Sequence, residues 1–374
     1  LIVQKLTGMK TGLIHDIRQG VALPPKVRII DPKNQATFDT EQIEITVIAY
    51  DRGGGIDEIR LYHNDCAIGA KNRGITVKPL DQKKRKKTYA VKLLPGENIF
   101  RAVGFSRDRT ESDPHEIVVK YSGKQKGGDL YLIVIGINEY KNKDLQLNFA
   151  VPDAVGIRNF FAQKWKGLFK QFHLIELYNQ KVTRKNIADI VSRISAKEED
   201  VVLIYCAGHG TTIEDEWYFV TYDVVYPERE DHLKERAISS TKLAEMMMEI
   251  RALKKVLIID ECKSVALLLA FSRGLESRKA VAQLARSTGT HVIAASTDNQ
   301  IASEISQIGH CVFTYVLLQG LEGKASNKDN IVTVRELTAY IESVLPQMST
   351  QYRLKPQYPV VDSRGQDFPL VVNQ

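Results

Sequence analysis

The stretch VVLIYCAGHG, residues 201–210, and its counterpart KVLIIDECKS, residues 255–264, decide how this chain is read. Each opens as a strand-length apolar run rich in β-branched residues, the pattern of a strand buried on both faces of a parallel sheet. The first ends in Gly208, His209 and Gly210; the second ends at Asp260, with Cys262 two residues later. Ligands and chemistry collect at the carboxyl edge of such sheets. Parallel neighbours lie about 4.8 Å apart, so a thiol and an imidazole just past adjacent strand ends come within mutual reach whatever their sequence separation.

The same rhythm extends outward. LYLIVIGI (130–137), FHLIELY (172–178) and THVIAAS (290–296) are further apolar strands, separated by amphipathic segments of helix length. This is the signature of right-handed βαβ units in a parallel sheet. Thr183 caps a helix whose Ile187, Ile190, Val191 and Ile194 share one face, and Leu243, Met246, Met247 and Ile250 repeat the spacing. The methionines read as core rather than as a plastic binding surface. Thr333 and Glu336 have capping-box spacing, which predicts a last helix running towards Leu345 and stopped by Pro346.

Upstream the pattern changes to period two. VRII, IEITVIAY, EIRLYH, YAVKLL, NIFRAVGF and EIVVKY, between Lys26 and Tyr121, alternate with turn residues such as Asp51 to Gly55 and Pro95 to Asn98. An all-β, immunoglobulin-like sandwich is expected over residues 25–121. The polar, glycine-rich SGKQKGGD marks a connector at 122–129, followed by the α/β domain at 130–374; residues 1–24 read as a leader.

Two domains suit 374 residues, since single cores stop growing at roughly 250 to 300. A hydrophobic content of 43% without any bilayer-length run excludes a disordered chain and a helical membrane span. The basic run Lys83, Lys84, Arg85, Lys86 and Lys87 dominates the net charge of +7. It lacks interleaved aromatics and reads as a solvated hairpin tip, so no nucleic-acid partner and no membrane partner is expected. Four widely spaced cysteines form no ligand motif, which points to a reducing, cytoplasmic setting. The first residues carry no signal-peptide pattern, and the start at Leu1 suggests a natural protein that extends further upstream.

A thiol becomes a strong nucleophile on ionisation, and a nearby imidazole favours the thiolate and then returns a proton to the leaving amine. His209 and Cys262 can divide these roles, with the N–H groups of Gly210 and Cys262 polarising the scissile carbonyl. A lone cysteine after a strand is more often core, and a lone histidine in a turn more often a satisfied surface group. Both at strand ends of one domain form a far more specific signal. Cys206, inside its strand, reads as an inert buried thiol, and Cys66 and Cys311 as structural.

YCAGHG and DECKS resemble the histidine and nucleophile motifs of the caspase, metacaspase and orthocaspase group of cysteine peptidases. Roughly 50 residues from His to Cys is the caspase spacing. LIVIGINEY, LNFAVPDAVGI, LARSTGTHVIAASTDNQIASE and HCVFTYVLLQGLEGKA extend the resemblance, to bacterial members especially, over about Asp129 to Leu370. The resemblance implies a three-layer α/β sandwich around a mainly parallel six-stranded sheet. It implies peptide hydrolysis through a thioester, with no cofactor and no metal. It puts Asp153 and Asp260 in the pocket for the side chain before the scissile bond, with Asp298 and Glu304 as weaker candidates, and so implies a protein or peptide substrate with arginine or lysine there. A guanidinium bonds a carboxylate bidentately, which fits. Asp153 reads equally as a first-turn helix charge, and Asp260 as a loop cap.

Val265, Cys206, and Glu261 and Lys263 flanking the thiol depart from the group's pattern. They leave open a catalytically inactive interaction scaffold as the alternative. Relatives also imply a regulatory protein or an upstream propeller domain as partner, and self-processing at Arg273, Arg278 or Lys279. Some need calcium, for which Asp215, Glu216, Glu228, Glu230 and Asp231 could supply oxygens, but their spacing matches no EF-hand loop and they read as solvated charge.

Overall fold

Period-two patterning puts every second side chain of the first unit inward. The computed structural model describes residues 22–68, 76–81, 83–123, 127–214, 216–262, 275–296, 304–305, 309–327, 329–352 and 356–373, with the backbone alone at 76–81, 262, 275–278, 296 and 304–305. The chain divides into two compact units, residues 1–126 and 127–374.

In the first unit β1 (Leu23–Asp31), β3 (Gln42–Arg52), β7 (Lys84–Lys92) and β6 (Thr76–Asp81) form one sheet in the order β1-β3-β7-β6. The second sheet runs β2 (Thr37–Phe38), β9 (His115–Tyr121), β8 (Gly96–Phe105), β4 (Glu58–His63), β5 (Cys66–Ile68). Val27, Ile45, Val47 and Tyr89 from one sheet meet Ile59, Leu61, Phe100 and Val119 from the other. This is the expected immunoglobulin-like sandwich.

The basic run differs from expectation. Lys83 sits in the turn between β6 and β7, and the other four residues run on into strand β7, where alternate ones reach across the sandwich. Arg85 donates to Asp57 O at 2.8 Å, just ahead of β4, and Lys87 to Ile59 O at 3.0 Å within β4, so two cations tie β7 to the β4 segment of the other sheet. Burial holds the Lys87 ammonium below the usual lysine range.

The second unit is built on strands β10 (Leu130–Gly136), β11 (Phe172–Tyr178), β12 (Val201–Ile213), β13 (Glu216–Phe219), β14 (Ile238–Ser239), β15 (Lys254–Cys262) and β16 (His291–Ser296). The short β17 (Glu304–Ile305), β18 (His310–Cys311) and β19 (Ile331–Thr333) follow, then β20 (Tyr358–Asp362) and β21 (Pro369–Val372). The main sheet has the order β11-β10-β12-β15-β16-β20, with β13 and β14 attached to the far end of β12. Its first five strands are parallel and β20 is antiparallel. The order reverses between β10 and β12, the switch point where an open sheet leaves a crevice beyond its carboxyl ends.

Helices α1 (Ala150–Lys164), α2 (Arg184–Arg193), α3 (Glu230–Arg236), α4 (Ser240–Glu249), α5 (Leu275–Thr288), α6 (Val312–Gln319) and α7 (Val334–Gln351) complete the described unit. Leu132, Val134, Leu203, Tyr205, Val256 and Ile258 pack under α1, α6 and α7. Ile133, Ile135, Ile204, Cys206, Leu257 and Ile259 pack under α2, α4 and α5, and Met246 and Met247 are core. The three layers match the expected architecture.

Thr183 caps α2 by accepting from Asn186 N, and Thr333 and Glu336 form the capping box of α7. Pro346, expected to stop that helix, lies inside it. Leu345 and Ser349, one turn apart, are both buried, and Ser349 Oγ donates to Leu345 O at 2.8 Å and to Pro346 O at 3.0 Å. Core contact on both sides of the proline carries the helix through it.

The connector gives way to the second unit by Gly127. Lys170 N donates to Gly128 O, and Asp129 N to Asp200 Oδ1. A Cβ at Gly128 would stand 2.4 Å from Glu199 O and 2.8 Å from Asp200 Cα, so only glycine fits. Gly128→Ala is therefore expected to destabilise this unit by about 1–3 kcal/mol, the usual cost of overpacking, measured by urea unfolding of the whole chain.

Candidate active site

The ladder between β12 and β15 runs in unbroken parallel register, pairing Tyr205 with Ile258, Ala207 with Asp260 and His209 with Cys262. The two chemical positions of the opening motifs are thus direct neighbours at the carboxyl edge, one strand spacing apart.

His209 is fully buried, whereas a site open to solvent was the sequence expectation. Its backbone N donates to Tyr140 Oη at 2.8 Å, and its ring lies 5.1 Å from the Tyr140 ring. Nε2 stands 2.9 Å from Leu145 O. A carbonyl only accepts, so Nε2 carries the proton of this bond, and in the neutral ring Nδ1 is the basic nitrogen. Leu145 ends a short 3₁₀ turn, Lys143–Leu145, whose cap Asn142 accepts from Asp144 N and donates to Val225 O. The side chain of Leu145 is buried, which anchors the carbonyl.

β12 runs extended through Gly208 and Gly210 to Ile213, and the two glycines serve close packing. A Cβ at Gly208 would lie 2.8 Å from Tyr140 Oη; one at Gly210 would lie 2.5 Å from Glu261 Cδ and 2.7 Å from Trp217 Nε1. Val220 N donates to His209 O, so Gly210 and Phe219 are a non-hydrogen-bonded antiparallel pair. The Gly210 N–H consequently points away from β13, towards the β15 side of the strand.

Glu261, which flanks the thiol position, is buried with Trp217 Nε1 donating to its Oε2 at 3.1 Å. Lys263 and Val265 lie outside the described residues. Cys206 faces the α2 and α4 layer, and burial pushes its thiol up to about 12, which suits the inert role.

The structure brings Asp153 and Asp260 together. Asp153, in the first turn of α1, is fully buried and accepts from His310 Nδ1 at 2.7 Å and from Cys311 N at 3.2 and 3.3 Å. Asp260 accepts from Thr314 Oγ1 at 2.6 Å and Tyr205 Oη at 3.2 Å. Burial first, then the charge of Asp153, pushes the Asp260 carboxyl up to about 7. Burial also raises Asp153, against the pull of His310 and Cys311. Oxygens of the two carboxylates and the Cys311 sulfur lie within 4.8 Å of one another, the set among the described residues close enough to hold a metal ion. Glu304 pairs across a short ladder with Cys311, its side chain outside the described residues. Asp298, Arg273 and the side chain of Arg278 also lie outside them.

The family model of the caspase domain matches residues 130–367. The chain belongs to the caspase-domain family. Ahead of this caspase domain, a bacterial Ig domain model matches residues 25–78. No curated protein matches the chain. Among solved structures, the Drosophila initiator caspase Dronc is similar at 14% identity and a TM-score of 0.39, covering 67% of this chain and 86% of that one. The fibronectin(III)-like modules of Clostridium thermocellum CbhA are similar at 18% identity and a TM-score of 0.19, covering 26% and 100%.

Three of the five acidic residues weighed for calcium are engaged elsewhere, and Glu228 is exposed. Glu216 accepts from Thr241 N, Glu230 pairs with Lys234 and Asp231 with Arg229, and Asp215 lies outside the described residues. Cys66, Cys206 and Cys311 are buried and form no disulfide. Among the described residues no helix is long and apolar enough to cross a membrane.

Sequence reasoning missed Leu145, Tyr140, Tyr205, Thr314 and His310. HCVFTY carried His310 and Thr314 as part of the resemblance, whereas a main-chain carbonyl leaves no mark on residue identity.

A carboxyl raised by folding binds more protons in the folded chain, so its stability contribution is present below the unfolded value near 4 and is lost as pH rises through about 7. Asp260→Asn is expected to flatten the decline of stability between about pH 4 and 7, where one such group contributes a slope of at most about 1.4 kcal/mol per pH unit, in urea unfolding across that range.

Proposed function

We propose that the chain is a cysteine endopeptidase that cleaves after arginine or lysine, with Cys262 as nucleophile and His209 as acid and base. The observation that carries this reading is the strand register setting position 262 beside His209 two residues beyond Asp260.

In the proposed reaction Nδ1 of His209 takes the thiol proton while Leu145 O holds Nε2. The sulfur attacks the scissile carbonyl carbon, and the resulting oxyanion accepts from the N–H groups of Gly210 and Cys262. The imidazolium gives its proton to the leaving amine as the C–N bond breaks, leaving a thioester. Water then attacks, losing a proton to Nδ1, and the thiolate departs. The basic side chain of the substrate enters between Asp260 and Asp153, where paired carboxylates gain most from an arriving cation. Kinship with metacaspases and orthocaspases, a reducing cytoplasmic setting, and control by a regulatory protein or an upstream propeller belong to the same proposal.

Short reporter peptides with arginine, lysine or aspartate before the cleaved bond test it. Arginine and lysine reporters are expected to be cut, with activity lost by a factor of about 10³ or more in Cys262→Ala and His209→Ala. Equal turnover by Cys262→Ala would remove the nucleophile assignment. A folded protein that cuts none of the three would favour a silent interaction scaffold.

A further inference from the structure

One end of the outer face of the β1-β3-β7-β6 sheet is densely cationic. Val27, Ile29, Val47, Ala49 and Tyr89 fill the sandwich core, so the residues between them on each strand face away from it. Register sets those outward residues in rows. Tyr50 of β3 stands between Lys26 of β1 and Lys84 of β7, and Ile48 stands between Arg28 and Lys86, with Lys78 of β6 opposite Lys86. Ile48 and Tyr50 thus form a central strip, and cations line its two flanks about 10 Å apart, twice the strand spacing. Lys84 Nζ lies 5.6 Å from the centroid of the Tyr50 ring, so a cation and a π-face are presented together. Arg52 ends β3 on the same face. Lys26, Arg28, Arg52 and Lys84 are exposed, and Lys86 and Tyr50 half-buried. Among the described residues none of these five cations forms an ion pair, whereas Lys92 at the far end of the face pairs with Glu41. The acid of β3 on this face, Glu44, stands two rows beyond Ile48, opposite Ala90. Asp81 of β6 is opposite Lys84 past a register shift, its side chain outside the described residues.

We propose that this face binds single-stranded nucleic acid, with bases against Ile48 and Tyr50 and phosphates against the two cationic flanks. The run Lys83 to Lys87 carries no aromatic along the chain, but the sheet sets Tyr50 beside it across the ladder. Sequence-tolerant single-strand sites combine a positive groove that tracks the backbone with aromatic faces for the bases, and both are present here. Each flank repeats its charge about every 6.8 Å along its strand, two residue rises, so it can follow a chain of successive phosphates. An acidic peptide would engage the flanks and leave the strip idle, and a duplex keeps its bases stacked away from it. Like charges in register, such as Lys78 with Lys86, destabilise a sheet, and a bound polyanion relieves that repulsion. The face belongs to the first unit alone, so its binding stands or falls independently of the peptidase reading.

The test is fluorescence anisotropy of the whole chain with a labelled oligothymidylate about twelve nucleotides long. With about four phosphates neutralised, affinity is expected to fall about fiftyfold between about 50 mM and about 200 mM salt. Lys84→Glu with Lys86→Glu, and separately Lys26→Glu with Arg28→Glu, are each expected to weaken binding by about tenfold or more and to flatten the salt dependence. Lys33→Glu with Lys170→Glu, the same change of net charge at two exposed positions off this face, is expected to weaken it no more than about threefold. Tyr50→Ala is expected to weaken binding about tenfold, and Tyr50→Phe to leave it unchanged. No binding at about 50 mM salt, or binding that neither flank pair weakens more than the control pair does, would overturn the assignment. Tighter binding of decaglutamate, of phosphatidylglycerol vesicles or of a duplex of equal length would also overturn it, marking the face as one for an acidic peptide, a lipid surface or a double helix. If one flank pair fails to fold the other decides, and if Tyr50→Ala fails to fold the comparison with decaglutamate decides the occupant.

Discussion

The register between β12 and β15 is the constraint on which the functional half of the molecule depends. Nine pairs, from Val201 with Lys254 to His209 with Cys262, hold it, and both strands are buried on two faces. A slip by one residue would exchange the two faces of a strand, sending Tyr205 and Asp260 into the layer that holds Cys206 and Trp217. Packing of Leu203, Val256 and Ile258 against one helix layer, and of Ile204, Leu257 and Ile259 against the other, makes that exchange prohibitive. The apolar part of each strand thereby aims the polar residues at its end.

Beyond the strands, polarity is paid for locally. Asp153 and Asp260 are both buried, and an ionised carboxylate removed from water costs several kcal/mol unless hydrogen bonds replace its hydration. Replacement comes from the Cys311 amide and the His310 ring at one carboxylate, and from two hydroxyls at the other. Even so, burial raises both carboxyls, so the arrangement costs stability. Glu261 shows a different use of burial on the opposite face, where with Trp217 it fills the space that a side chain at Gly210 would need.

The architecture was legible because it rests on periodicity. Six of the seven strands of six or more residues in the all-β unit, all but β6, and the five parallel strands announced themselves as apolar runs, and the caps at Thr183 and Thr333 followed from local chemistry. What escaped was decided by tertiary partners. Pro346 stays helical because Leu345 and Ser349 are held by the core. Arg85 and Lys87 are strand residues because carbonyls of the facing sheet await them. At the candidate site His209, Cys262, Asp153 and Asp260 could be named because each sits in a motif, whereas Leu145 and Thr314, which hydrogen-bond to His209 and Asp260, come from a turn and a helix elsewhere in the chain.

The turn that ends at Leu145 carries a consequence for how caspase domains diverge. The group that steadies the imidazole is main-chain oxygen, supplied equally well by almost any amino acid, so substitution scanning passes over it and motif comparison never scores it. Path length, not residue identity, is what selection must preserve there. An insertion or deletion between Tyr140 and Leu147 would swing the carbonyl away from the imidazole while every recognisable signature stayed intact, so two caspase domains with the same motifs can differ in how that ring is held.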